Sequence, residues 1–205
     1  MISINSERIG YFHGRFQPFH NGHMEVVRYV LARHAIIMIG ISNPFRLPPA
    51  KSFDFDSKEE ESLKIARLNE NNPWPYWARL LMIREGLKSE GIALDRVLFI
   101  PNPNNTNIPA DEIRLPKSLV EVYICPKSEH NKAMIREYRK DGWSVTEVPR
   151  SGTFGFGSRL IRERMLNMQE WESLIPNGTA EILKLLTSQG LCSFQFGLNN
   201  KAKRR

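Results

Sequence analysis

Apolar positions along this chain alternate between two spacings. Ile9 to Phe12 is a short apolar run that predicts a first strand. From Met24 to Arg33 the apolar residues Val26, Val27, Val30 and Leu31 share one side of a helix. Residues 35–41 read Ala-Ile-Ile-Met-Ile-Gly-Ile, a continuous run of the kind a parallel sheet buries on both faces. Strand, helix and strand in so short a span make one βαβ unit.

Residues 42–77 break the rhythm. Ser42-Asn43-Pro44-Phe45 ends the second strand and Pro48-Pro49 follows. An acidic stretch then runs from Asp54 to Glu61, ahead of an aromatic loop, Pro73-Trp74-Pro75-Tyr76-Trp77. So long an excursion in a compact domain predicts a lid or binding loop. Helix returns over 76–88, with Leu80, Leu81, Ile83 and Leu87 apolar, and a third strand is expected at 96–100. An Asn- and Pro-rich loop from Pro101 to Pro116 precedes strands at 119–124 and 144–148, with helices at 131–140, 159–167 and 179–186. This alternation predicts an α/β fold: a Rossmann-like, doubly wound parallel sheet of about five strands with C-terminal helices, its ligand crevice at the strand C-termini. A single domain is expected over 1–190, with a basic tail over 191–205.

Composition narrows the class. A chain of 205 residues with 25% charged and 41% hydrophobic residues suits one globular domain with a substantial core. No apolar run reaches membrane-spanning length and no signal-peptide pattern opens the chain, so the expected location is the cytoplasm. Cys125 and Cys192 match no metal spacing and suggest no disulfide framework. Of the net charge of +7, Lys201, Lys203, Arg204 and Arg205 supply four, leaving a surplus of three. That surplus suits an enzyme handling polyphosphates better than a nucleic-acid binder.

The chemistry concentrates in residues 14–23, Gly-Arg-Phe-Gln-Pro-Phe-His-Asn-Gly-His. They lie between the first strand and the first helix, where backbone N–H groups and the positive end of the helix dipole attract an anion. Arg15, His20 and His23 add donors suited to phosphate, and Gly22 lets a phosphate approach the backbone. A second basic segment, Gly157-Ser158-Arg159-Leu160-Ile161-Arg162-Glu163-Arg164-Met165, opens a late helix. Ser158 is read as its N-cap, and its cationic first turn makes sense if an anion sits there.

The decapeptide resembles the His-x-Gly-His hallmark of the nucleotidylyltransferase superfamily. Its longer form, Gly-Arg-Phe-Gln-Pro-x-His-x-Gly-His, is most similar to the archaeal-type nicotinamide-mononucleotide adenylyltransferases. The late helix resembles their Ser-Gly-Thr-x-Ile-Arg-Arg-Arg-Met segment, with Ile161-Arg162 and Arg164-Met165 in place. Trp171 and Leu174 to Pro176 continue the likeness, and Asn72 to Ile83 is similar to a stretch whose early Arg, here Arg79, reaches phosphate.

The resemblance implies that a nucleoside monophosphate moves from a triphosphate to a phosphorylated acceptor, releasing pyrophosphate. ATP and nicotinamide mononucleotide would be the substrates and NAD the product. It implies His20, His23 and Arg15 as catalytic, and Gly14, Phe16, Gln17, Gly22, Ser158, Ile161 and Arg162 as nucleotide-binding. Arg79 would face the acceptor, with a surface or structural arginine as the other reading. Trp74 and Trp77 of the aromatic loop either cover the acceptor or anchor the loop to the core. Mg²⁺ would rest on phosphates and water, since no acidic pair forms a ligand set. Cytidylyl or adenylyl transfer to another phosphate or phosphonate acceptor is the alternative within the superfamily. A nucleotide-sensing regulator is the alternative outside enzymes. No membrane partner is expected, and a homo-oligomer is admitted.

Three departures bear on the substrates. Ser151-Gly152-Thr153 stands ahead of an extra Phe154-Gly155-Phe156, apart from Ile161-Arg162. The loop after the third strand lacks the tryptophan that stacks on nicotinamide in the family. The fourth strand ends in Cys125-Pro126-Lys127 where the family has an Asn-Pro turn. His13 stands where the family is apolar or small and is read as a structural histidine, with an extra phosphate contact as the other reading.

Overall fold

The computed structural model describes residues 8–43, 71–102, 116–149 and 157–190. The acidic stretch of the 42–77 excursion, most of the Asn- and Pro-rich loop, Ser151-Gly152-Thr153 and the basic tail lie outside them.

Five strands form one parallel sheet among the described residues: β1 (Ile9–Gly14), β2 (Ile37–Ser42), β3 (Val97–Asn102), β4 (Val120–Ile124) and β5 (Ser144–Glu147). Their order is β3-β2-β1-β4-β5. The chain thus runs outward from β1 to one edge and then returns to lay β4 on its other side. That reversal opens a crevice beyond the C-termini of β1 and β4, where such sheets bind ligands. The expected Rossmann-like sheet is the one observed.

Helices α1 (Asn21–Leu31) and α2 (Tyr76–Ser89) cover one face, and α3 (Glu129–Lys140) covers the other. On the α1–α2 face Phe12, Ile37, Ile39 and Ile41 pack against Val27, Val30, Ile83 and Leu87. On the α3 face Ile9, Tyr11, Met38 and Val122 pack against Ile135 and Trp143. The period-two alternation along β1 and β2 sorts these residues to the two sides. All six residues of β2 are buried, as its unbroken apolar run predicts.

Helix α4 (Ser158–Leu166) and helix α5 (Asn177–Ser188) form a third layer against α2. Trp74, Met82, Ile161, Ile175 and Leu183 fill the interface between them. Backbones come close here: a Cβ on Gly178 would collide with the Glu85 carbonyl. Thr179 Oγ1 donates to the Met82 carbonyl at 2.8 Å across the same contact.

Two of the boundaries that differ from expectation have a visible cause. α1 begins at Asn21 rather than Met24, because His20 takes the extended N-cap conformation, φ −145° and ψ 170°. The polar residues Asn21 and His23 therefore form its first turn although they carry no apolar signal. β2 begins at Ile37 rather than Ala35, because the Ala35 carbonyl accepts from Arg96 Nε at 2.9 Å. The same guanidinium takes the carbonyls of Leu31 and His34, both at 3.1 Å, and so secures the end of α1.

Candidate active site

β1 delivers the decapeptide to the crevice, and the turn after Gly14 decides where its side chains go. Phe16 adopts φ 51°, a left-handed conformation that costs a non-glycine residue about 1–2 kcal/mol. Burial of its ring offsets that cost, for Phe16 and Phe19 are both fully inside. The Gln17–Pro18 peptide is cis. The chain then enters α1 with His20 as N-cap and His23 in the first turn.

The two imidazoles stack, their centroids 3.6 Å apart and their planes at 25°. The His20 backbone N–H donates to His23 Nδ1 at 3.2 Å. That bond makes Nδ1 an acceptor, so neutral His23 carries its proton on Nε2 and presents a donor there. Phe16 meets His23 edge-on at 4.9 Å and Phe19 stacks on it at 5.6 Å. This aromatic lining excludes water from one side of the pair.

Burial and charge together keep both rings neutral. Burial, with a smaller push from Lys127, takes the His20 pKa down to about 3. His23 is held well below the ordinary value by burial, then by His20 and Lys127. The arginines feel the same crowding of like charge. Desolvation and then Arg15 lower Arg162 to about 10, against a weaker opposing pull from Glu163. Desolvation also takes Arg79 to about 10, with Tyr76 opposing and Arg15 reinforcing. Arg15 is exposed, yet the protein packed round its guanidinium lowers its pKa as well. Cations and neutral imidazoles gathered this way form a site for a polyanion.

Several sequence-predicted contacts turn out to brace this turn. Gln17 Nε2 donates to the Trp74 carbonyl at 3.0 Å and its Oε1 accepts from the Trp74 N–H at 3.1 Å. The amide is buried and pairs reciprocally with that backbone. Arg79 is buried and donates to the carbonyls of Arg15 at 2.8 Å, Ser42 at 2.6 Å and Asn43 at 2.7 Å. It ties the ends of β1 and β2 together, because desolvated carbonyls at the strand ends need a donor. Trp74 is 2% exposed and packed with Ala78, Met82 and Ile161, which anchors the loop to the core. Trp77 is 45% exposed on α2.

The late helix reaches the turn directly. Arg162 Nη1 donates to the Gln17 carbonyl at 2.7 Å and Nη2 to Asn71 Oδ1 at 3.1 Å. Ser158 Oγ donates to the Pro18 carbonyl at 3.0 Å. Ser158 is the first helical residue and Gly157 is the N-cap, correcting the expected cap. Ile161 is fully buried core beneath them. Arg159 pairs with Glu163 at 2.7 Å and Arg164 with Glu170 at 3.7 Å, so these two cations belong to the surface. His13 stacks on Tyr11 and its Nε2 lies 3.3 Å from the Tyr138 hydroxyl, on the α3 side of the sheet. That geometry fits the structural reading.

Gly14, Arg15, His20, Gly22 and His23 thus come together at the turn, with Phe16, Gln17, Ser158, Ile161, Arg162, Arg79 and Trp74 building it. Lys127, whose charge both imidazoles feel, was not among the sequence-predicted site residues; the signal was the Cys125-Pro126-Lys127 departure. Among the described residues no three His, Cys, Asp or Glu side chains group as metal ligands. The donor set offers no carboxylate cage, so it suits a metal that enters bound to a polyphosphate.

No protein-family profile matches the chain. Individual relatives do. A nicotinamide-nucleotide adenylyltransferase of Ignicoccus hospitalis is 30% identical over 181 residues, covering 85% of this chain and 90% of that protein. A phosphonoformate cytidylyltransferase of Streptomyces viridochromogenes is 25% identical over the same shares of both chains. Among solved structures, a bifunctional NMN adenylyltransferase/ADP ribose pyrophosphatase of Francisella tularensis, complexed with AMP and a manganese ion, aligns with TM-score 0.61 at 21% identity. The alignment covers 90% of this chain and 50% of that one, so the chain spans half the bifunctional protein's length, and this likeness concerns the fold. With a relative at 30% identity along nearly its whole length, the chain belongs to the nucleotidylyltransferase family that includes the archaeal nicotinamide-nucleotide adenylyltransferases, and it is a nucleotidyltransferase.

Proposed function

We propose that the chain transfers the adenylyl group of ATP to nicotinamide mononucleotide, forming NAD and releasing pyrophosphate. The observation that carries this reading is the stacked, neutral pair His20 and His23 at the β1–β4 crevice, set among cations with no carboxylate cluster among the described residues. An oxygen of the acceptor's phosphate attacks the α-phosphorus. A new P–O bond forms as the bond to the β-phosphate bridge breaks, and the electron pair leaves on pyrophosphate. The acceptor oxygen is already ionised, so no general base is required. Catalysis then rests on alignment and on donors aimed at the charge that builds on the α-phosphate.

His23 Nε2–H and His20 supply such donors in the neutral state, and Arg15 supplies charge. Gly14 makes room for the Phe16 ring and Gly22 lets phosphate approach the start of α1, while Arg162 and Ser158 hold the turn and support the β/γ end. Mg²⁺ enters as part of the metal–triphosphate substrate and neutralises its phosphates. Trp77, exposed on α2, is the remaining aromatic contact proposed for the acceptor. The domain spans 1–190, and cytoplasmic metabolites are its substrates.

A second reading, cytidylyl transfer to a phosphonate acceptor, is favoured by the cytidylyltransferase relative and by the Cys125-Pro126-Lys127 departure. One screen tests both: pyrophosphate release from ATP, CTP, GTP and UTP, each paired with nicotinamide mononucleotide and with phosphonoformate. ATP with nicotinamide mononucleotide is expected to turn over fastest. Turnover only with CTP and the phosphonate replaces the first reading by the second, and no release with any pair removes both.

A further inference from the structure

Loops that follow adjacent parallel strands share one crevice, and β4 pairs directly with β1. The loop after β4 carries Lys127, just ahead of α3. Its backbone is held firmly: the Lys127 N–H donates to the Cys125 carbonyl at 2.8 Å, and Asn131 Nδ2 donates to the same carbonyl at 2.6 Å. Ser128 caps α3 by accepting from the Asn131 N–H at 3.2 Å. The side chain is exposed, and among the described residues it forms no ion pair.

A cation in this position lacks local support. It precedes a helix N-terminus, where the dipole disfavours positive charge. Glu129, the first acid of α3, turns instead to Lys132 at 2.7 Å. The β1–β4 pairing sets this loop beside the one that follows β1 and leads to His20 and His23, whose protonation Lys127 opposes. Arg15 acts similarly on Arg79 and Arg162, so the two exposed cations bear on different members of the site. The described protein supplies Lys127 with no counter-charge, and a substrate phosphate would.

We propose that Lys127 is a phosphate-binding residue of this active site, its ammonium donating to a non-bridging oxygen of the phosphate that lies across His20 and His23. The proposal rests on the nucleotidyl-transfer reading above. An ammonium on a flexible stem acts as a mobile point charge, suited to follow a phosphate whose charge shifts during displacement. The phosphate belongs either to the triphosphate or to the acceptor, and the experiment separates the two.

Lys127→Gln, Lys127→Arg and, as a surface control, Lys140→Gln are compared with wild type. Calorimetry with pyrophosphate and with ATP and CTP reports the triphosphate side; steady-state KM and kcat report the acceptor side. The expected result is a loss of about 10-fold or more for Lys127→Gln on one side, the size of a lost hydrogen bond to a charged group. Lys127→Arg should recover most of it and Lys140→Gln should lose nothing, with ligand-free melting temperatures unchanged. Weaker ATP or CTP binding assigns Lys127 to the triphosphate, with pyrophosphate binding also weakened only if the contact reaches the β/γ end, and a raised acceptor KM alone assigns it to the acceptor. Wild-type binding, KM and kcat in Lys127→Gln overturn the proposal while leaving the nucleotidyl-transfer reading intact. A wild-type protein that binds neither pyrophosphate nor a triphosphate fails that reading, and this proposal falls with it.

Discussion

Stability should fall between pH 7 and pH 5 because two histidines are buried neutral, and the size of the fall can be worked out. Burial first, and Lys127 second, hold His20 near 3 against an ordinary value of 6.5. In the unfolded chain His20 takes up a proton below pH 6.5, whereas in the folded protein it does not. The stabilisation is therefore complete above 6.5, is lost as pH falls, and stops declining near the folded value. From pH 7 to pH 5 the unfolded state gains about 2 kcal/mol from this one site, at 1.36 kcal/mol per unit. The result is insensitive to the folded value, because pH 5 lies well above 3. His23 is also held well below its ordinary value, by burial first, so it adds to the fall in the same direction. Urea unfolding at pH 7, 6 and 5, on wild type and on His20→Gln/His23→Gln, isolates this share from other groups. The double variant should lose less than wild type over that range, by at least the roughly 2 kcal/mol that His20 supplies. Saturating pyrophosphate should also flatten the wild-type slope, since a bound anion supports an imidazolium. Equal pH slopes for wild type and double variant would refute the buried-neutral assignment.

His23→Ala should lower kcat about 10²-fold with a smaller effect on triphosphate affinity, as for loss of a donor aimed at the transition state, and unchanged turnover in folded protein removes the role. Arg162→Ala should weaken triphosphate binding and, by stranding the buried Gln17 carbonyl, cost about 1–3 kcal/mol of stability, with Arg162→Lys restoring only part. Equal triphosphate affinity by calorimetry would leave Arg162 as a brace alone. Trp74→Ala should cost about 3–5 kcal/mol of stability while the acceptor KM stays unaltered; a raised KM with an unchanged melting temperature would restore the lid reading.

Much of this protein was legible in one dimension because the relevant physics is local. A strand buried on both faces must be apolar throughout, so the run before Ser42 declared β2. A helix that covers a sheet must repeat its apolar residues every three or four positions, so α1 and α2 declared themselves through Val26 to Leu31 and Leu80 to Leu87. The site was legible for the same reason: Gly14 to His23 is contiguous, and a strand–turn–helix brings its own backbone N–H groups and histidines to one point. What local spacing does not encode is which partner a side chain meets across the chain. Gln17 and Arg162 read as nucleotide ligands, yet Gln17 binds the backbone of Trp74 and Arg162 binds the carbonyl of Gln17. Arg79 and Trp74 likewise turn inward, since a buried carbonyl attracts the nearest guanidinium and a large ring gains most by leaving water. Lys127 comes to His20 and His23 only because the sheet order lays β4 beside β1. The sequence by itself thus determined the α/β fold, the family and the strand–turn–helix that carries the histidine pair. Only the tertiary structure decided which polar residues brace that turn and which face the crevice, because that choice depends on strand order and burial, and neither is a property of neighbouring residues.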